Sequence, residues 1–385
     1  MRYMADPVPV VPSAPLRNHL TVGIYNGQRQ EMEPAFRLIT VLRGGTDALR
    51  KAGEEFTPPT AREKKEPGLY SERMKASVLH DVFDQAVKDI VSRPFEKPPV
   101  VSGDLSGSML ERIYMDADRE GTPLSVFLAQ HFEDAVAYGM GLFLVDNVDA
   151  RDETGAPLKR NIAEAADARP YFVRILPENV VGFKTEKRMG RDVCIELRVR
   201  EWAYKPTADY TEQLVERIRI YTGTTVELWE RNYGATTLAA SRALLSGRSD
   251  TSGFALIEPP RPTGFPDDVI PLVVTYTDKC GFMHAKPPLL QLAHLNLNHW
   301  NKSSIHDNAL RYCMSPLLFG TGLSKKETEQ RPKTGEGAVL LSESKDADLR
   351  FVEITGTTFA ESRSRIEQLE AQMRARASEP PNCYW

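Results

Sequence analysis

Residues 289–314 contain neither glycine nor proline, and this stretch constrains the fold more than any other part of the chain. A helix over this length would be roughly 40 Å long at about 1.5 Å per residue, which is long for a globular protein. Pro287 and Pro288 stand just before it, and proline suits a first helical turn, where its missing N–H has no intrahelical partner. Residues 269–275 are rich in β-branched side chains, which favour a strand. The sequence therefore predicts a strand and then a long helix for which the chain shows no obvious packing partner.

The overall composition is that of a folded protein with two or three cores. The chain has 385 residues, of which 41% are apolar and 26% charged. A formal charge of -4 argues against a protein that grips nucleic acid over its whole surface, because such binding depends on neutralising phosphates. No run of about 20 apolar residues and no cationic start followed by an apolar block occurs, so neither a membrane span nor a signal peptide is predicted. We expect a protein made and used in a cytoplasm.

Cysteine and histidine are the residues that could indicate a metal site. The four cysteines are scattered without a CxxC pair, which predicts reduced and mostly buried thiols. A metal-dependent enzyme is the sharpest catalytic alternative, and it would use four histidines in and before the long helix: His284, His294, His299 and His306. Their spacing does not place two imidazoles at i and i+4 on one helical face, so we predict no metal, no cofactor and no catalytic residue.

A small basic segment follows the long helix. It contains Lys325, Lys326, Arg331 and Lys333. One interpretation is a solvated surface run, and the other is weak phosphate contact inside a channel. The chain has no Gly-rich loop of the Lys/Ser type that holds nucleotide phosphates, which removes the obvious NTPase interpretation.

The N-terminal half reads as helical. Residues 1–20 are proline-rich and predict a disordered arm. Apolar periodicity predicts helices over 33–42, over 69–92 without interruption, and over 109–115. A further helix is predicted to open with Thr122 as its cap and Pro123 in its first turn, and to lead into a core strand over 142–145.

The pattern becomes β-like after residue 169. Alternation of apolar residues with Arg and Glu predicts antiparallel strands over 193–202, 215–221 and 225–230, with the charged side chains on a solvated face. Residues 56–68 and 258–268 are predicted to be surface or turn-rich loops, and 150–168 a polar loop. A hairpin of 338–341 with 349–354 and a helix over 359–376 complete an α+β fold.

Several segments, taken together and in order over about 350 residues, resemble the portal proteins of tailed bacteriophages. None of them is specific alone. The matching segments include RPFEKPP (93–99), DREGTPL (118–124), YGMG (138–141), PENV (177–180), IPLV (270–273) and PPLLQLAHLN (287–296).

The resemblance implies a ring of about twelve subunits at the unique vertex of a virion capsid, assembled in the host cytoplasm. Such a ring would be a conduit for double-stranded DNA during packaging and ejection. It would contact the capsid protein and dock the large terminase and head-completion or tail adaptor proteins. The implied parts are a disordered arm (1–20), a helical wing with the first core strands (21–182), a β-rich clip (183–268), a strand with a long stem helix (269–313), and a channel-loop candidate with a hairpin and a C-terminal wing helix (314–385).

The implied parts give roles to particular side chains. The basic residues after the long helix become DNA-channel candidates. Five residues of the stem helix become candidates for contact between subunits or with a wet channel: His294, Asn298, His299, Lys302 and His306. The end of the chain departs from the family pattern, because related portals continue into further wing helices and a crown. This departure puts ring closure in question and keeps a smaller head-tail adaptor as a further alternative.

Overall fold

The computed structural model describes residues 22–100, 109–147, 169–206, 211–232, 253–263, 265–313, 317–321, 348–352 and 357–378. They form an α+β fold, as predicted. The helices are α1 (Gly27–Arg43), α2 (Gly45–Ala52), α3 (Pro67–Ala76), α4 (Val82–Ser92), α5 (Met109–Met115), α6 (Leu124–Tyr138), α7 (Leu290–Cys313) and α8 (Thr357–Ser378). Among these residues, no helix is both long enough and apolar enough to cross a bilayer.

The strands fall into four sheets. They are β1 (Met140–Asp146), β2 (Tyr171–Ile175), β3 (Val180–Arg188), β4 (Arg191–Pro206), β5 (Glu212–Thr222), β6 (Thr225–Asn232), β7 (Ala255–Pro262), β8 (Leu272–Tyr276), β9 (Lys279–Gly281), β10 (His284–Ala285), β11 (Leu317–Thr321) and β12 (Asp348–Val352). One sheet has the order β2-β1-β8 and another the order β3-β4-β5-β6-β7, and both are antiparallel. The larger sheet is thus inserted in sequence between two strands of the smaller one.

The uninterrupted helix predicted over 69–92 is wrong, because two helices with a break between them occupy this segment. Ser77 ends α3 by donating its hydroxyl to the carbonyl of Arg73, at 2.7 Å. Asp81 then caps α4 by accepting from the N–H of Asp84, at 3.3 Å. Asn296 of α7 inserts its amide into the break, where it accepts from Phe83 N–H and donates to the carbonyl of His80, each at 2.9 Å. A residue more than 200 positions away therefore satisfies the backbone groups that a continuous helix would have paired internally.

Two other helix starts differ from prediction. Pro123, and not Thr122, is the cap of α6, and no side chain bonds there. Thr122 belongs to the preceding turn, where its N–H donates to the Asp118 carboxylate at 3.2 Å. The long helix begins at Leu290, so Pro287 and Pro288 lie just before it. Prolines in both places set the direction in which the chain enters a helix without costing a helical hydrogen bond.

The segment predicted as a surface loop over 56–68 contains buried polar anchors. Thr57 is fully buried and accepts a hydrogen bond from the indole N–H of Trp300, at 2.8 Å. Glu63 is 4% exposed and forms a bidentate pair with Arg73, at 2.7 and 2.9 Å. The segment is therefore part of the packing around α7.

The largest sheet is longer than the predicted strands, and its last strand was missed. Residues 258–262, predicted as loop, form most of β7 even though positions 259, 260 and 262 are proline. β7 is the edge strand of the sheet, and an edge strand tolerates proline because one side of its backbone needs no partner.

Several charged side chains of this sheet are buried and not solvated as predicted. Arg200, Glu216 and Arg231 are each less than 9% exposed and form one chain of ion pairs, Arg200–Glu216 at 2.8 Å and Glu216–Arg231 at 2.5 Å. The segment before α1 covers them, since the Tyr25 hydroxyl accepts from Arg200 at 2.8 Å. The same segment joins a small apolar cluster with the sheet, formed by Val22, Tyr25, Val181, Ile218, Ile220, Trp229 and Phe254.

The hairpin predicted for 338–341 and 349–354 is described only in part. The strand predicted over 349–354 is present as β12, and it pairs with β11. The predicted partner 338–341 lies outside the described residues, as do the predicted arm over 1–20 and the loop over 150–168. The predicted C-terminal helix is confirmed as α8.

Candidate functional surface

The long helix α7 packs against helices of its own chain, so the expectation that it lacks such a partner is wrong. It contacts α1, α3, α4 and α8. Its buried face combines apolar and polar side chains, of which Trp300 and Asn296 are fully buried. Ser304 accepts a hydrogen bond from Arg73 at 2.9 Å. These partners hold α7 in one rotation about its axis, because each polar group has a specific place to bond.

Two of the histidines predicted for a subunit interface contact α8 of their own chain. His299 is 5% exposed, and its Nε2 lies 3.3 Å from the Glu370 carboxylate of α8. Two turns further on, His306 Nδ1 lies 3.0 Å from the hydroxyl of Ser362. Burial lowers the pKa of His299, and the hydrogen bond with Glu370 opposes this shift. These side chains connect α7 to α8 within one chain.

The opposite face of α7 is exposed along most of the helix. The exposed stripe consists of Gln291, His294, Asn298 and Ile305. Steps of three, four and seven residues return to the same side of a helix, so these four positions form one continuous line. Lys302, four residues after Asn298 and three before Ile305, also lies on this line and is half-buried. Of the predicted interface residues, His294 and Asn298 therefore lie on the exposed stripe.

The remaining predicted site residues lie outside α7 or outside the described residues. Lys325, Lys326, Arg331 and Lys333 lie outside the described residues. In the part of the chain that the structure describes, no three His, Cys, Asp or Glu side chains are arranged to hold a metal ion. His284 lies on β10 beside Glu31, at 3.7 Å, away from the α7–α8 contacts of His299 and His306. Cys194 is buried, as expected for the cysteines, whereas Cys280 is exposed.

Sequence reasoning missed a polar cleft of about 440 Å³ between α1, α4, α6 and β2. Arg174 binds the fully buried Asp134 through two bonds of 2.6 and 2.7 Å. Arg43 pairs with Glu133 and lies 3.4 Å from Asp84. These pairs connect the helices to the sheet, and the acidic and basic residues come from four separated segments, so no local motif could have indicated the cleft.

One carboxyl in the cleft has hydroxyl partners in place of a cation. Glu178 accepts hydrogen bonds from Tyr138, at 3.1 Å, and from Thr40. Burial raises the pKa of Glu178, although these bonds and the charge of Arg43 act in the opposite direction. These hydroxyl bonds connect α1 and α6 to the segment between β2 and β3.

Arg29 fastens the five-stranded sheet to the helical core. Its guanidinium is buried and donates to the carbonyls of Val180, at 2.9 Å, and Glu178, at 3.0 Å, where the chain leaves the core for β3. Asn26 adds a bond to the carbonyl of Phe183, at 3.3 Å. The start of α1 therefore sets where the sheet stands relative to α7.

The hairpin between β3 and β4 carries the most exposed apolar side chain described. Met189 is fully exposed and has a φ of 49°, followed by Gly190 at 79°. Arg188 and Arg191 lie directly opposite each other on either side of this turn. Arg188 donates to the carbonyl of Asp267 at 2.5 Å, so the loop over 266–268 lies at the same end of the sheet.

A family described as a domain of unknown function, DUF4055, matches residues 288–379, which span α7 and α8. No curated protein matches the chain.

Two solved structures are similar to the chain at low identity. The first is from the neck of an empty gene transfer agent particle computed with C6 symmetry, with 10% identity and a TM-score of 0.37, covering 75% of this chain and 64% of that one. The second is from the virion of a native gene transfer agent particle, with 13% identity and a TM-score of 0.36, covering 77% and 63%. This chain thus spans less than two thirds of the length of either.

Proposed function

We propose that this chain is a portal-type assembly protein without catalytic activity. It would form a ring at the capsid vertex through which double-stranded DNA enters and leaves, and it would dock the terminase, the capsid protein and the head-completion or tail proteins. The ordered sequence resemblance over about 350 residues supports this proposal. The two solved structures come from the neck and virion of gene transfer agent particles. Because their similarity to this chain is low, the proposal rests on the residues of this chain.

The observation that carries the proposal is the two-sided character of α7. One face is fixed by buried partners on four helices of the same chain, while the opposite face is exposed in a line from Gln291 to Ile305. A helix of 24 residues is about 36 Å long. A long helix that is packed on one face and exposed on the other is suited to form the wall of a passage together with the same helix of neighbouring copies.

The exposed stripe has the composition expected of a wall in a wet passage. His294 and Asn298 are polar, and Ile305 adds an apolar point for contact with a neighbour. A conduit for DNA must avoid tight phosphate binding, since strong binding would slow movement. In this proposal, the cations near the passage are Lys302 of α7 and, after the helix, Lys325, Lys326, Arg331 and Lys333. The five-stranded sheet would form the clip and the helices around α1 the wing.

Light scattering on the purified chain tests the proposal. A ring of about twelve copies gives a mass about twelve times the chain mass of 43.2 kDa. A species that stays at one chain mass at micromolar concentration contradicts the proposal. Stoichiometric zinc binding by such a monomer would support the metal-enzyme alternative, which no geometry among the described residues favours.

The basic segment is tested separately from assembly. Replacing Lys325 and Lys326 with Ala should leave the ring mass unchanged and alter retention of packaged DNA. Replacing Lys64 and Lys65 with Ala, two exposed lysines of the loop before α3, serves as the matched control. Loss of the ring in the first variant would contradict a channel role for these lysines.

A further inference from the structure

The outer end of the five-stranded sheet concentrates backbone conformations that L-residues rarely adopt. The described chain has five residues other than glycine at positive φ, and three of them lie here: Met189 at 49°, Asp267 at 57° and Asp268 at 53°. The bond between Arg188 and the carbonyl of Asp267 joins the two segments that carry them. Such conformations cost free energy and persist where the surrounding structure, often at a functional site, over-determines them.

The side chains at this end are also unfavourable for an isolated molecule. A two-residue hairpin turn with positive φ at both positions favours Asn-Gly, yet the first position is Met189, whose long apolar side chain is fully exposed. Arg188 stands opposite Arg191, and like charges in direct cross-strand register are destabilising. The turn residue, the exposed apolar side chain and the like-charge pair are each unfavourable for an isolated chain. Their occurrence at one place points to a role in contact with another molecule.

Opposite charges at this end are left without partners. Arg188 is occupied by Glu186, at 3.0 Å, and by the carbonyl of Asp267. Arg191 is exposed, and no described residue forms an ion pair with it. The same holds within the described chain for the exposed carboxylates of Asp267 and Asp268. One sheet end thus presents two exposed cations that form no ion pair with a described residue, Lys187 and Arg191, beside the exposed Met189. The exposed carboxylates of Asp267 and Asp268 lie next to them.

We propose that the β3–β4 hairpin tip, through Met189 and Arg191, docks on the Asp267–Asp268 loop of a second copy of this chain. This inference rests on the proposed function, because a ring is closed by heterologous contacts in which two different patches of one chain meet. The cationic tip and the anionic loop are two such different patches of one chain. They lie at the same end of the same sheet, so copies arranged in a ring would carry them at the same height along the ring axis. Methionine and arginine are both enriched at protein interfaces.

DNA is a poorer occupant of this surface. Binding to phosphates needs several cations acting together, and its strength grows with their number. Asp192, Asp267 and Asp268 are exposed at or beside the tip and would repel phosphates. The charge distribution therefore favours a protein surface with both signs of charge, which is what a second copy provides.

A charge-swap mixture tests the contact and separates it from an effect within one chain. The tip variant carries Met189→Glu and Arg191→Glu, and the loop variant carries Asp267→Lys and Asp268→Lys. Alone, each variant brings like charges together and should fall from the ring mass to one chain mass in light scattering at a concentration where the native chain is a ring. Mixed in equal amounts, each negative tip meets a positive loop and each native tip meets a native loop. The ring mass should therefore return.

The control variant carries Lys64→Glu and Lys65→Glu, two exposed charge reversals away from the sheet, and should keep the ring. Circular dichroism melting of all variants checks that they are folded. Ring formation by the variants alone would overturn the inference while leaving the proposed function intact. Failure of the mixture to restore the ring would also overturn it, because the charges would then act within one chain. A native chain that is itself monomeric would overturn the proposed function and the inference together.

Discussion

The helical layer around α7 and the five-stranded sheet both bury charged side chains, but they satisfy them in different ways. In the helical layer, Arg73 is 1% exposed and its bonds go to Glu63, Ser304 and the carbonyl of Pro58. In the sheet, Glu216 is shared between Arg200 and Arg231. The bonds of Arg73 hold its side chain in one geometry, whereas the carboxylate of Glu216 neutralises two cations at once. The two regions should therefore respond differently when one charge is removed.

The largest effect is expected in the helical layer. Arg73→Ala leaves Glu63 buried without its cation and should lower the free energy of unfolding by about 4 kcal/mol, in the range measured for broken buried ion pairs. Urea unfolding followed by circular dichroism measures it. Arg62→Ala removes a cation that is 67% exposed and should change stability by less than about 0.5 kcal/mol. Similar losses in both variants would show that the burial of Arg73 is not what matters.

A somewhat smaller effect is expected in the sheet. Glu216→Gln leaves Arg200 and Arg231 without their shared anion, and we expect a loss of about 3 kcal/mol. The bond from Arg200 to the Tyr25 hydroxyl remains and limits the damage. Glu201→Gln, at a carboxylate that is 35% exposed and paired with Arg219, is the matched control with an expected loss below about 1 kcal/mol. If Glu216→Gln cost no more than its control, the sharing of one anion would not be a stabilising feature.

The next largest loss of stability is expected at the break between α3 and α4. Asn296→Leu leaves the carbonyl of His80 and the N–H of Phe83 without their partner, which should cost about 2 kcal/mol. Asn298→Leu, on the exposed stripe two residues away, should be nearly neutral in the isolated chain. Hydrogen exchange should be faster around Phe83 in the first variant only. Equal protection of Phe83 in both would contradict this role of Asn296.

The smallest effect is a change in pH dependence. Burial lowers the pKa of His131 below its ordinary 6.5, with Asp134 opposing and Arg174 adding to the shift. Below pH 6.5 the unfolded chain then binds more protons than the native one, so the contribution is present at higher pH and is lost as the pH falls. His131→Gln should flatten the decline in stability between about pH 7 and 5 relative to the native chain. His294→Gln, at an exposed position, should leave the slope unchanged. An unaltered slope in His131→Gln would refute the prediction.

Local signals predicted much of the fold. The helix over Met109–Met115 has the predicted bounds, and the core strand β1 and the central strands of the larger sheet were recognised from apolar periodicity and alternation. These patterns depend on residues close in sequence, so a single chain segment is enough to indicate them.

Several of the errors have one physical cause, which is contact between residues far apart in sequence. The break at His80 requires the amide of Asn296, and the buried charges of the sheet require Tyr25, 175 residues from Arg200. Alternation of apolar and charged residues shows that a strand has two different faces, but it does not show whether the charged face meets water. The exposed stripe of α7 could be predicted only in part, because His299 and His306 have polar partners on α8 that no local pattern reveals.

Single-particle electron microscopy of the purified chain tests the central claim most directly. The proposal predicts closed rings of about twelve copies, with α7 in the wall of the passage and the line from Gln291 to Ile305 facing the axis or the adjacent copy. Particles of a single chain, or rings in which that line faces outward to bulk solvent, would contradict it.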